Sequence, residues 1–215
     1  VKVEAELDEP LSRWLWLVKS VLLLPHHLML TALGILFAAN SMIAFFAILF
    51  TGRYPRRLFD FNTGALRWAW RVAFYFCAAL GTDRYPPFST EAEPWYPARL
   101  EIAYPERLSR GLVLVKSWLL LLPHYLIMGT SPLIFYLAQW WGGLIGLLVV
   151  IASTAALLSG PGAALLIRGR YPQGLFDTVI GFDRWMLRVA VYAALMTDEY
   201  PPLRIDRGGT EPTGP

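Results

Sequence analysis

A pair of histidines, a pair of aspartates and a set of arginines are the side chains here whose type and spacing could do chemistry. His26 and His124 each follow a proline, Pro25 and Pro123, at matching places in two similar stretches. Two imidazoles related in that way could ligate opposite faces of a b-type haem inside a helical bundle. An imidazole beside a proline bend more often satisfies a freed backbone carbonyl or meets an interface. Haem is therefore the lesser expectation, and the sequence leads us to expect no cofactor and no metal.

The arginines form two groups. Asp60, Gly64, Arg67 and Arg71 are spaced by 4, 3 and 4 residues, and Asp177, Gly181, Arg184 and Arg188 repeat that spacing. On a helix each set makes one polar stripe. Such a stripe has three readings: guanidinium groups that snorkel to lipid headgroups or a partner, ion pairs in which Asp60 and Asp177 hold the halves in register, or part of a substrate route. The acids are too few for a proton relay. The second group, Arg53, Arg56, Arg57 and Arg170, surrounds the words Gly-Arg-Tyr-Pro and Leu-Phe-Asp. There glycine ends one helix, proline stops its continuation and aspartate complements the start of the next. The same arginines are suited to lipid phosphate or to a partner's carboxylate.

Reaction signatures are missing. The chain has no His-Glu-x-x-His, no Gly-x-Ser-x-Gly, no phosphate-binding glycine loop ending in Lys-Ser or Lys-Thr, and no cysteine pair, since Cys77 stands alone. We expect no enzyme.

The elements that must position these residues are written twice. Leu11-Ser12-Arg13 and Leu17-Val18-Lys19-Ser20 return as Leu108-Ser109-Arg110 and Leu114-Val115-Lys116-Ser117. Gly52-Arg53-Tyr54-Pro55 and Leu58-Phe59-Asp60 return as Gly169-Arg170-Tyr171-Pro172 and Leu175-Phe176-Asp177. Each half closes alike, with Thr82-Asp83-Arg84-Tyr85-Pro86-Pro87 and Thr197-Asp198-Glu199-Tyr200-Pro201-Pro202. A tandem duplication follows. The repeats run over 1–98 and 99–206, with a flexible tail at 207–215.

With 56% apolar residues, 16% charged residues and a mean hydropathy of +0.45, the composition is that of an integral membrane protein. Nine Trp and ten Tyr suit many crossings of the membrane–water interface. Net charge is only +3, and all the basic residues except Lys2, Lys19 and Lys116 are arginines lying beside apolar segments. That pattern fits anionic headgroups or acidic partner surfaces and not a nucleic-acid groove. The opening Val1–Glu6 alternates and is acidic, so no cleavable signal peptide is expected.

Residues 1–7 and 99–104 alternate apolar and charged side chains, which predicts two short strands able to pair as a polar cap. The apolar run 14–50 would make a helix of roughly 55 Å, too long for one straight crossing of a core about 30 Å thick. It should bend or fold back, with a hairpin turn expected between Gly34 and Ser41. The second run, 112–167, is longer and should form two crossings that turn near Gly142-Gly143. The Arg-stripe segments 58–80 and 175–196 read best as amphipathic helices in the interface plane, because Arg67 and Arg71 at mid-membrane would be costly. A spanning arrangement stays open.

These words together resemble a bacterial family of membrane proteins, the domain-of-unknown-function 4389 family, in two tandem copies. The resemblance rests on Leu-Val-Lys and Pro-His at 17–26 and 114–124, on the Gly-Arg-Tyr-Pro and Leu-Phe-Asp words, on Arg-Trp with a following Arg-Val at 67–72 and 184–189, and on the Asp-x-Tyr-Pro-Pro exits. It implies a bacterial membrane location and no particular activity. Glu199 departs from its counterpart Arg84.

The expected fold is thus an all-α integral membrane protein: two tandem repeats of a helical hairpin plus amphipathic helix, with short β-strands preceding each repeat. The expected function is a non-catalytic, multi-pass scaffold or accessory subunit of the bacterial cytoplasmic membrane. It would contact anionic lipid headgroups and a larger membrane protein complex, and no nucleic acid. The alternative is a lipid or small-molecule carrier with a site between the repeats.

Overall fold

The structure, a computed structural model, describes residues 1–12, 14–76, 80–126 and 171–206. It is mostly helical with a small two-stranded sheet. β1 (Lys2–Ala5) pairs antiparallel with β2 (Ala98–Glu101), placing Val3 opposite Leu100 and Glu4 opposite Arg99. The alternation predicted this pairing. Its physical origin is visible in the burial: Val3, Ala5, Ala98 and Leu100 point inward while Lys2 and Glu101 face out.

Helix α1 (Trp16–Leu22) meets α2 (Leu24–Thr51) at Leu23. Pro25 lies in the first turn of α2, where a missing N–H costs nothing. α2 then runs without a break through Gly34 and Ser41, so the expected hairpin turn between those residues is absent. A lone glycine costs a helix only about 1 kcal/mol, and the flanking Leu, Ala, Met and Phe residues all tolerate helix. The stop comes at Gly52, whose φ of 72° and N–H to Ile48 O close the last turn. The apolar run bends once, at its N-terminal end.

α3 (Arg56–Tyr75) follows Pro55 and returns antiparallel along α2. Leu23 packs with Val72 and Tyr75, His26 meets Trp68, Asn40 and Ser41 meet Asn62, and Ala44 and Ile48 pack with Phe59. The other side of α3 carries Trp70 and Phe74 into a core shared with both strands and with Phe176 and Ile180 of α5 (Gln173–Ala193). α3 is therefore a middle layer, with the sheet over one face and α2 against the other. Between β2 and α5 come the short α4 (Arg110–Val115), capped by Ser109, a π turn over Lys116–Leu120, and helix again over 122–126. The expected second hairpin with its turn near Gly142-Gly143, Arg170 and the expected tail fall outside the described residues.

Among the described residues, α2 is the one helix long and apolar enough to cross a membrane, with 28 residues and a mean hydropathy of 2.2. A signal sequence near an N-terminus meets the same criteria, and multiple crossings are not shown. The buried stripe of α2 is narrow: Leu28, Ile35, Met42, Phe46 and Phe50 on the remaining surface are all at least half exposed.

Candidate functional site

Two matched clamps join short helices to the Tyr-Pro-Pro segments. Lys19 of α1 reaches Thr82 O at 2.6 Å and Asp83 Oδ1 at 2.9 Å, and its ammonium stands 4.6 Å from the centre of the Tyr75 ring. Lys116 reaches Thr197 O at 2.8 Å and Asp198 Oδ1 at 2.7 Å, with the Tyr192 ring at 5.3 Å. Both aspartates also cap a backbone amide, Asp83 that of Ser12 at 2.5 Å and Asp198 that of Ser109 at 2.7 Å. Each buried lysine thus ties the end of its short helix to a Tyr-Pro-Pro segment. In a dry setting such a pair holds only because every donor has an acceptor.

The arginine stripes cross over between the halves. Arg67 donates from Nε to Leu100 O at 3.0 Å. Arg184 donates from Nε and Nη2 to Val3 O at 3.2 and 3.1 Å. Val3 and Leu100 are partners in the sheet, so α3, which follows β1, holds β2 and α5, which follows β2, holds β1. Arg71 donates to Ser89 O and, at 3.0 Å, to Glu91 O. Arg188 reaches Asp206 Oδ2 and Arg184 reaches Asp206 O, both at 2.6 Å. Burial pushes the Asp206 carboxyl up, but the hydrogen bond from Arg188 and the charges of Arg188, Arg204 and Arg184 outweigh it and hold the group below its ordinary value.

Asp60 and Asp177 do not join this network. Asp60 pairs with Arg56 at 3.2 Å one turn away, and Asp177 accepts from Gln173 at 3.1 Å. A helix places residues 60 and 67 two turns apart, beyond side-chain reach, whereas a backbone carbonyl of the facing strand is close. Arg71 and Arg184 are almost fully buried, so their guanidinium groups are turned into the protein and away from any headgroup.

The histidines occupy separate aromatic pockets. His26 Nδ1 accepts from Trp68 Nε1 at 2.9 Å and the ring stacks on Phe88 at 3.9 Å. His124 lies between Trp185 and Tyr200, with Nε2 3.1 Å from Pro201 O and Nδ1 3.2 Å from the Tyr200 hydroxyl. The two rings are not brought face to face. Among the described residues no group of three or more His, Cys, Asp or Glu side chains could hold a metal ion.

Sequence reasoning passed over three features. Lys19 and Lys116 stood inside repeated words together with Asp83 and Asp198, and that double recurrence of a cation and an anion was the available signal. Asp183 replaces Leu66 of the first half; its Oδ2 and the Tyr171 hydroxyl are buried without hydrogen-bond partners among the described residues, and burial pushes the carboxyl up to about 7. In the first half the matching Tyr54 hydroxyl receives Asn62 Nδ2 at 2.9 Å, so the polar position has moved by one helical turn. Finally, Arg107 and Arg110 join Arg53 around a cleft of about 520 Å³ at the end of α2.

The arrangement can bind, orient and hold. Comparison with curated proteins and with solved structures found no match. Comparison with family models matched one, described as "Domain of unknown function (DUF4389)", over residues 13–90, and no second copy was detected. The chain therefore carries one DUF4389 domain, spanning α1, α2, α3 and the first Tyr-Pro-Pro exit.

Proposed function

We propose that this protein is a non-catalytic scaffold or accessory subunit of the bacterial cytoplasmic membrane, with the free face of α1 and α2 bedded in lipid and the polar sheet held in water. One observation carries this reading. α2 covers only a narrow stripe against α3 and leaves Leu28, Ile35, Met42 and Phe50 exposed along its length, a surface far too apolar for water. The packing supports an in-plane setting for this helix. α2 lies along α3, and α3 is pinned to a sheet bearing Lys2, Glu4, Arg99 and Glu101. If α2 crossed the bilayer, α3 and those charges would cross beside it at high cost. An orientation close to the membrane plane lets α2 meet hydrocarbon while the sheet stays wet.

The matched clamps and crossed arginines support reading the second half as a divergent copy of the first. They also support a structural role, since Lys19, Lys116, Arg71, Arg184 and Arg188 are all engaged in internal bonds. Gentle extraction at native abundance followed by mass spectrometry of co-migrating proteins tests the function. A stoichiometric membrane partner is expected; a monomer that migrates alone would overturn the scaffold reading.

A carrier function has one observation in its favour, an apolar cleft of about 390 Å³ lined by Phe182, Trp185, Leu203 and Ile205. Organic extraction of the purified protein and of a Leu203→Arg variant distinguishes the two readings, because a carrier loses a defined lipid from this cleft on that change and a scaffold loses none.

A further inference from the structure

We propose that Arg53, Arg107 and Arg110 form a binding site for the phosphate of an anionic phospholipid. The inference rests on the membrane-bedded setting above and assigns its headgroup contact. The three guanidinium groups come from both halves: Arg53 follows the C-terminal glycine of α2, and Arg107 and Arg110 flank the entry to α4. The local fold brings them together. Leu108 N–H donates to Gly52 O at 2.9 Å, locking the second half's entry segment onto the end of α2, and Leu108 packs beneath in the core of Tyr54, Phe59 and Val113. Thr51, Gly52 and Leu108 complete a cleft of about 520 Å³, ample for a phosphodiester headgroup.

Charge and shape both indicate the ligand. Arg56 close by is satisfied by Asp60 and by the Tyr104 ring at 4.5 Å. Arg53, Arg107 and Arg110 have no carboxylate and no side-chain hydrogen bond among the described residues. Three like charges held around one concavity repel one another unless an anion sits among them, and planar guanidinium groups favour phosphate oxygens. Phe50 and Phe46 are exposed on the last two turns of α2, which lead in sequence to the cleft residue Thr51. A phosphate in the cleft therefore continues into acyl chains along the apolar face, whereas free phosphate would use only the polar half.

The test uses the full chain in mild detergent, titrated with short-chain phosphatidylglycerol, short-chain phosphatidylcholine and inorganic phosphate, with occupancy read by native mass spectrometry. Each arginine near a headgroup surface contributes roughly fivefold in binding, so Arg53→Gln, Arg107→Gln and Arg110→Gln together should weaken phosphatidylglycerol binding about 100-fold. All three side chains are exposed, so the variant should keep the helical circular dichroism of the parent, and the matching triple lysine variant should retain much of the binding. Unchanged affinity in the glutamine variant overturns the site. Inorganic phosphate binding as tightly as phosphatidylglycerol overturns the lipid as its source, and equal binding of phosphatidylcholine overturns the charge argument. Membrane fractionation separates these failures from failure of the membrane reading, because the triple variant should still sediment with membranes after an alkaline carbonate wash.

Discussion

Removing Asp198 should damage the fold more than removing Lys116, although the two make one ion pair. The Lys116 side chain is 0% exposed and that of Asp198 is 31% exposed, with Nζ and Oδ1 2.7 Å apart. Asp198→Asn leaves a buried ammonium with no counter-charge, facing only neutral groups: Thr197 O, an amide oxygen and the Tyr192 ring. Stranding a buried charge costs about 3–5 kcal/mol, and partial screening on the aspartate side puts this case near ~3. Lys116→Met leaves a carboxylate that still caps Ser109 N–H at 2.7 Å and can take water, so the loss is nearer to one charged hydrogen bond, about 1–2 kcal/mol. The double variant removes both charges and should cost about as much as Lys116→Met alone, a coupling of about 3 kcal/mol. For a chain of this size 1 kcal/mol moves Tm by about 2–4 °C. Thermal unfolding in detergent, followed by tryptophan fluorescence, should therefore show losses of roughly 9 °C for Asp198→Asn and roughly 4 °C for the lysine and double variants. Equal losses for the two single changes, or strict additivity, would refute the account of the clamp.

Glycine substitutions should separate close packing from open helix. A Cβ on Gly64 would stand 2.8 Å from Thr90 Cβ and O, and one on Gly181 would stand 2.5 Å from Ile205 Cγ2 and 2.9 Å from Asp206 O. Gly64→Ala and Gly181→Ala should each lower stability by about 1–3 kcal/mol in denaturant melts, while Gly34→Ala, with nothing within 4 Å, should raise it by about 0.5–1 kcal/mol. Asp183 predicts an unusual pH dependence. Its folded carboxyl titrates at about 7 because of burial, above the ordinary value of 3.8, so the folded state holds this proton more tightly than the unfolded one. Its contribution is full below about pH 4 and is lost as pH rises through about 7. Asp183→Asn should flatten that fall in melting curves taken across the range; a fall of the same slope in the variant would assign it to another group. Arg184→Lys should behave as a poor replacement, losing at least one of the bonds to Val3 O and Asp206 O and lowering Tm by several degrees.

Much of this arrangement was legible in the repeats. Alternation over residues 1–7 and 99–104 is a local pattern with period two, and the strands formed where it occurs. The 4, 3, 4 spacing of the stripes correctly put Arg67, Arg71, Arg184 and Arg188 on one face of their helices. It could not tell lipid from protein on that face, because most of the partners are backbone carbonyls, those of Val3, Ser89, Glu91 and Leu100, which carry no side-chain signature. The turn expected near Gly34 failed for a related reason: a glycine marks a break only when the surrounding packing calls for one, and α2 finds a continuous partner in α3. Arg107 and Arg110 escaped notice because their meeting with Arg53 depends on a backbone bond between Leu108 and Gly52, 56 residues apart in sequence.

The most direct test of the membrane-bedded account is the depth of α2 in a bilayer. With Cys77 replaced by serine, single spin labels at Leu28, Ile35 and Met42 would be reconstituted and their depth measured from collisions with oxygen and with a water-soluble nickel chelate. Leu28 and Met42 are fourteen residues apart, about 21 Å along the helix. The account predicts that all three are shielded from the chelate at nearly the same depth. Depths spread over about 20 Å would show a crossing helix, and free access of the chelate to all three would show a face that meets no lipid at all.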